Sequence, residues 1–218
     1  CGMTILSGTS NHGRISFGDS GDNNIGYITY DHGSNNMSFV TNASTQWSIN
    51  SSGHLLPAAT DHGIYLGVNS ATAANLLDDF EFGTWTPTLG DVNASNVMAL
   101  NATYSGTDKA FYTKVGRMVH IHGYIVISGN GTHSNSSCYL GGLPFAVKSG
   151  DSPYSALNVG YGESLNITAG YNLGGYARVN NSNIAVWLWD TTSGGSTVLR
   201  DELSDNGGFI FSCTYSTN

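Results

Sequence analysis

His120 and His122 are the pair whose type and spacing could hold a metal. In an alternating strand an HxH pair projects both imidazoles from one face, and imidazole nitrogen suits iron, nickel and zinc. Three such pairs on a common axis would offer six nitrogens. The rival reading is a solvated or interface pair, favoured because the two lie inside a long strand; no metal and no other cofactor is expected. Carboxylates are the second candidate set: Asp78, Asp79, Glu81, Asp151, Glu163, Asp190, Asp201, Glu202 and Asp205. Two of them held roughly 5 to 9.5 Å apart in a sugar-sized groove would serve glycoside cleavage. Residues 19–24 and 31–36 carry oxygen ligands fit for calcium, but lack the EF-hand spacing and its terminal Glu, and the same residues are what tight turns require. The sequence holds no HExxH, no GxSxG and no P-loop. The triplets Asn93-Ala94-Ser95 and Asn166-Ile167-Thr168 arise readily in a chain rich in these residues.

The elements that would position these groups are strands. Asp19-Ser20-Gly21-Asp22-Asn23-Asn24-Ile25 is echoed by Asp31-His32-Gly33-Ser34-Asn35-Asn36-Met37, and each polar turn leads into a short alternating strand. Ile25, Tyr27 and Thr29 are assigned to one pleat face, followed by Met37, Phe39 and Thr41 and then by Trp47 and Ile49. No single copy buries that face, which is the mark of a repetitive architecture; an ordinary meander is the alternative. Ser70 then reads as an N-cap for Ala73, Leu76, Leu77 and Phe80, whose spacing makes one helical stripe. The acidic residues Asp78, Asp79 and Glu81 read as a solvated face. Farther on, Val119, Ile121, Ile125 and Ile127 alternate with Met118, His120, His122, Tyr124 and Val126, and the first set is the predicted core face. The run Ile184-Ala185-Val186-Trp187-Leu188-Trp189 is apolar on both faces, so Trp187 and Trp189 either pack against another surface or form an aromatic platform. The expected fold is all-β: an intertwined trimeric β-repeat shaft over 1–67, a short helical linker over 68–82, and an antiparallel β-sandwich head of jelly-roll type over 83–218.

Composition agrees with strands and turns. Charged residues are 10% of the 218, while Gly reaches 29 and Tyr 12; ordinary globular proteins carry roughly a quarter charged residues. Seven basic residues against 15 acidic ones give a formal charge of −8. A surface of that sign repels polyanions, so nucleic acid is excluded as a partner. Cys1, Cys138 and Cys213 are an odd, widely spaced set that fits neither a disulfide framework nor a CxxC metal site. No apolar run approaches the ~18 residues that cross a bilayer, so no membrane insertion is expected. The chain opens on Cys1 rather than Met and is expected to be the carboxyl-terminal part of something longer.

Gly13-Arg14-Ile15-Ser16-Phe17-Gly18-Asp19, with Ile28-Thr29-Tyr30-Asp31-His32 and Asn36-Met37-Ser38-Phe39, resembles the shaft repeats of tail fibres from tailed bacteriophages. Asp79-Phe80-Glu81-Phe82-Gly83-Thr84-Trp85-Thr86-Pro87-Thr88, followed by Tyr112-Thr113-Lys114-Val115-Gly116-Arg117, Gly142-Leu143-Pro144-Phe145 and Phe211-Ser212-Cys213-Thr214-Tyr215, is similar to the distal domain of such fibres, notably from marine and cyanobacterial phages. The resemblance implies a virion component: a homotrimer, joined to upstream fibre or tail proteins, whose heads bind host polysaccharide or lipopolysaccharide without catalytic residues. The chain is therefore expected not to be an enzyme. Glycan contacts are assigned to Tyr154, Tyr171, Tyr176, Trp187, Trp189 and the loop around His133, since sugar sites pair aromatic faces with hydrogen-bonding side chains. Where this sequence departs from the family is at His120 and His122. The alternatives are a tailspike-type enzyme that degrades polysaccharide, a purely structural fibre or assembly module, and a secreted lectin.

Overall fold

In the computed structural model, the described residues are 1–218 apart from 73–74, 93–95, 102–103, 105–108, 130, 132–135 and 151–153. The chain divides into two units, Cys1–Asp78 and Asp79–Asn218.

The first unit is an antiparallel meander in which each strand pairs with the next: β1 (His12–Phe17), β2 (Gly26–Asp31), β3 (Asn36–Thr41), β4 (Ser44–Ile49) and β5 (Leu55–Pro57). The echoed turns fold on their own aspartates. Asp19 Oδ1 accepts the amides of Gly21 and Asp22 at 2.7 and 2.9 Å, and Asp31 Oδ1 accepts that of Gly33 at 2.8 Å. Those bonds stabilise the ionised form and hold both carboxyls below their ordinary value; for Asp31 the Ser34 hydroxyl is the larger cause. Their oxygens thus serve the turn. Between β3 and β4, Asn42 and Ala43 both adopt positive φ, 51° and 56°, the pairing that a primed two-residue hairpin demands.

Cross-strand register aligns Ile15, Ile28, Phe39 and Trp47 in one apolar row over four strands. The predicted face of β3 and β4 is right, but β2 contributes Ile28 and Tyr30 to it, not Tyr27 and Thr29. Strand alternation alone leaves the choice of face open, and the turn length between strands decides it. Much of this face is uncovered. Ile15 is 40% and Phe17 59% exposed, and Val40 is the one buried apolar side chain among the described residues of the unit.

The predicted linking helix is corrected. Leu76–Leu77 forms β7, which pairs antiparallel with β6 (Ile64–Tyr65). Ala73 lies outside the described residues, and Phe80 opens a strand of the second unit. So short an isolated helix gains few hydrogen bonds for its nucleation cost, whereas the extended form meets a partner already nearby in sequence.

The second unit holds β8 (Phe80–Trp85), β9 (Thr88–Gly90), β10 (Ala99–Leu100), β11 (Ala110–Val115), β12 (Met118–Gly129), β13 (Tyr139–Gly141), β14 (Ser155–Glu163), β15 (Asn172–Ala177), β16 (Ile184–Trp189), β17 (Gly195–Thr197) and β18 (Gly208–Ser216). A short 3₁₀ turn, Arg200–Glu202, lies between β17 and β18. Hydrogen bonding follows the path β8-β11-β12-β18-β14-β15-β16-β13-β9, with β10 on β12 and β17 on β16. The two ends of that path are separated in sequence only by Thr86 and Pro87. A flat sheet cannot bring its outer strands so close, so the antiparallel sheet curls into a half-barrel. The expected β head is a single curled hydrogen-bonded path.

Its core lies on the inner face. Val119, Ile121, Ile125 and Ile127 of β12 are fully buried, as the alternation predicted, and meet Ile184, Val186 and Leu188 of β16 with Phe209, Phe211 and Tyr215 of β18. Trp85 meets Phe211 edge-on at 6.2 Å. Gly83, between Phe82 and Thr84, is needed for space: a Cβ there would lie 2.9 Å from the Tyr112 ring. The acidic run is not all solvated. Asp79 pairs with Lys114, which is buried and lies over the Phe145 ring at 5.3 Å.

Candidate functional site

The curled sheet splits at one place. Strand β14 pairs with β15 only from Ser155 to Leu157, facing Ala177 to Gly175. Beyond that, β14 continues along β18 to Glu163 while β15 continues along β16 to Asn172, so the two part company. Between them lies a groove of about 640 Å³, lined by 157–165, Ile167, 171–174 and Trp189. Leu157, Leu165, Ile167 and Leu173 belong to or pack on the core and form its apolar floor. Asn158 and Asn172 are exposed amides within it, and Gly160, Gly162 and Gly174 keep side chains out of the way.

A bulge sets the polar wall. The β14–β18 register shifts between Val159 and Tyr161, an extra residue that re-aims the remainder of β14. Tyr161 then lies opposite the exposed Ile210, and Glu163 opposite Gly208. Both Glu163 oxygens accept phenol protons: Oε1 from Tyr124 and Oε2 from Tyr161, the latter at 2.9 Å. The Tyr124 bond, then the Tyr161 bond, holds the Glu163 carboxyl below its ordinary value, while the same carboxylate pushes Tyr124 up to about 12. Glu163 is an ionised acceptor, and it is the one carboxylate lining the groove among the described residues.

Trp189 closes the far wall, half-exposed, with its indole nitrogen beside Gly174. An apolar ring face, a carboxylate and two amides around an apolar floor suit a polyhydroxylated ring with one apolar side.

Of the residues assigned from sequence, Tyr171 and Trp189 meet in this groove. Tyr154, Tyr176 and Trp187 form a separate cluster, packed edge-on or tilted at 5.1 and 5.8 Å between centroids. Tyr154 remains two-thirds exposed, at 66%. His133 lies outside the described residues, as do Asp151 and Asn93-Ala94-Ser95. His120 and His122 do share a face, with ring centroids 5.9 Å apart, but each has another partner: His120 Nδ1 lies 2.9 Å from Thr214 Oγ1, and His122 stacks on Phe111 at 5.4 Å. Among the described residues no group of three or more His, Cys, Asp or Glu side chains gathers. Asp190 accepts the amides of Thr192, Ser193 and Gly194 in its own turn, and Glu202 accepts that of Leu199. Cys138 and Cys213 are buried thiols, pushed up to about 12 by desolvation.

Tyr161, Asn158 and the clamp on Glu163 escape a reading of the sequence. The available signal is Tyr161-Gly162-Glu163, whose two-residue spacing puts phenol and carboxylate on one strand face.

No family model matches the chain, and no curated protein matches it. Among solved structures, the chain is similar to the Dettilon tailspike protein, with a TM-score of 0.53 at 16% identity over 64% of this chain and 24% of that one. The chain thus spans about a quarter of the length of that protein, and the likeness is one of fold. It runs against the expectation that the chain is not an enzyme, because the neighbour is a tailspike protein, and a tailspike-type enzyme is the polysaccharide-degrading alternative raised from the sequence.

Proposed function

We propose that the chain is part of a bacteriophage tail attachment protein that contacts bacterial surface polysaccharide or lipopolysaccharide through the groove between β14 and β15. One observation carries the reading: half-exposed Trp189 and the clamped Glu163 carboxylate line one sugar-sized groove in a fold similar to part of a tailspike. The working form is a homotrimer in the virion tail, attached to upstream fibre or tail proteins. In its favour, the Ile15–Ile28–Phe39–Trp47 face belongs to a unit that buries almost nothing by itself. Apolar surface on that scale needs permanent cover, and further copies of the same chain are the partner always present at equal number. Several weak sugar contacts on one assembly then add in avidity.

A depolymerising form of the same reading is favoured by the tailspike fold. Glu163, held ionised, has the charge state of a general base, and the second carboxylate that glycoside hydrolysis requires would come from a neighbouring copy. Labelled protein applied to a panel of bacterial strains tests both. Surface binding that disappears after periodate oxidation of the cells and in Trp189→Ala supports glycan attachment; binding untouched by periodate overturns it. New reducing ends in the same incubation identify cleavage.

A further inference from the structure

We infer that the β14–β15 groove selects uncharged or amino-bearing sugars and rejects acidic ones; this rests on the glycan-binding reading above and names its substrate class. Glu163 is held from two sides by the hydroxyls of Tyr124 and Tyr161, which fixes the position of its carboxylate. A carboxylate offers about four lone-pair sites, and the two phenols occupy two of them. The others face donors only: sugar hydroxyls, an acetamido N–H or an ammonium group.

No lysine, arginine or histidine lines the groove among the described residues. A uronate, sialate or phosphate placed there would face Glu163 with no counter-charge, in a molecule whose formal charge is already −8. The amides of Asn158 and Asn172 and the hydroxyls of Ser164 and Tyr171 both donate and accept, and so add orientation without reversing that sign. Trp189 supplies a ring face for the apolar side of a sugar, an interaction indifferent to charge elsewhere on the polymer. Selection by sign therefore falls to Glu163.

The test is a glycan array bearing neutral, amino, uronate, sialylated and phosphorylated oligosaccharides, probed with the whole assembled protein. Binding to neutral or amino glycans is expected, falling about tenfold in Glu163→Gln, as loss of one charge-assisted hydrogen bond implies. Trp189→Ala should lose at least as much. A salt titration of neutral-glycan binding by the unaltered protein needs no variant: affinity should change less than about twofold across a range in which screening collapses charge-driven binding. Binding confined to acidic glycans, or neutral-glycan binding lost in salt, overturns the selection while leaving glycan attachment standing. Neutral-glycan binding untouched by both substitutions overturns the groove as its seat. Binding to none of the glycans overturns the attachment reading itself.

Discussion

Both units are built from short antiparallel strands joined by aspartate-anchored turns, yet they treat their apolar faces in opposite ways. In the second unit the sheet curls over its own inner side chains, and residues such as Ile121, Ile125 and Phe209 are fully buried. In the first unit the sheet has no second layer, and an apolar row of the same chemical kind lies open, with Val40 alone buried among the described residues. Alternation is common to both. What separates them is topology: a meander whose strands follow in order stays open, while a path that returns to its start supplies its own cover.

The largest effect expected from this difference is on the isolated units. Residues 79–218 expressed alone should unfold cooperatively, while 1–78 alone at low concentration should show no cooperative transition by circular dichroism and no slow amide exchange. A folded, monomeric 1–78 would break the comparison and the trimer proposal with it. Next comes Phe211→Ala, which removes a fully packed aromatic and should cost about 3–5 kcal/mol in denaturant unfolding. Phe39→Ala, only half-buried in one copy, should cost under about 1 kcal/mol in the separated chain. A concentration-dependent penalty for Phe39→Ala would sharpen the contrast by showing that other copies complete the burial.

Smaller is Asp79→Ala, which leaves the buried Lys114 without its carboxylate. Because Asp79 is itself about half exposed, at 47%, the loss should be about 1 kcal/mol rather than the several expected of a fully buried pair. The smallest effect is one the two units share. Asp19 and Asp31 in the first, and Glu163 and Asp190 in the second, are all held below their ordinary values by hydrogen bonds. A depressed carboxyl adds stability above its unfolded value and loses it as pH falls through the folded one. Both units should therefore weaken modestly in acid below the ordinary carboxylate range of about pH 4. Glu163→Gln should flatten that slope for the second unit alone, as read by melting temperature against pH.

Much of the second unit is legible in the sequence because period-two patterns there coincide with real burial: the alternation assigns Val119, Ile121, Ile125 and Ile127 to the core face, and they lie there. The echoed aspartate turns are legible for a similar reason, since their chemistry is local. Misreadings arise where distant residues decide the outcome. The stripe of Leu76, Leu77 and Phe80 fits a helix period, but Ile64 and Tyr65 capture the leucines as a strand and Phe80 starts another. Trp189 and Tyr171 are singled out by their type and line the groove, whereas Tyr161, which also lines it, is not singled out. Its direction depends on one bulge at Gly160, and the partner that reveals the bulge, β18, is remote in sequence.

Strand order carries a further cost for the cell that makes this protein. Strand β18 lies inside the curled sheet, hydrogen-bonded to β12 on one side and β14 on the other. Until Gly208–Ser216 has left the ribosome, those two halves have no common neighbour and their oily sides stay in water. Contacts so far apart in sequence also close slowly. The second unit must therefore wait unassembled until that strand emerges, exposed to aggregation and chaperones, before the sheet can close.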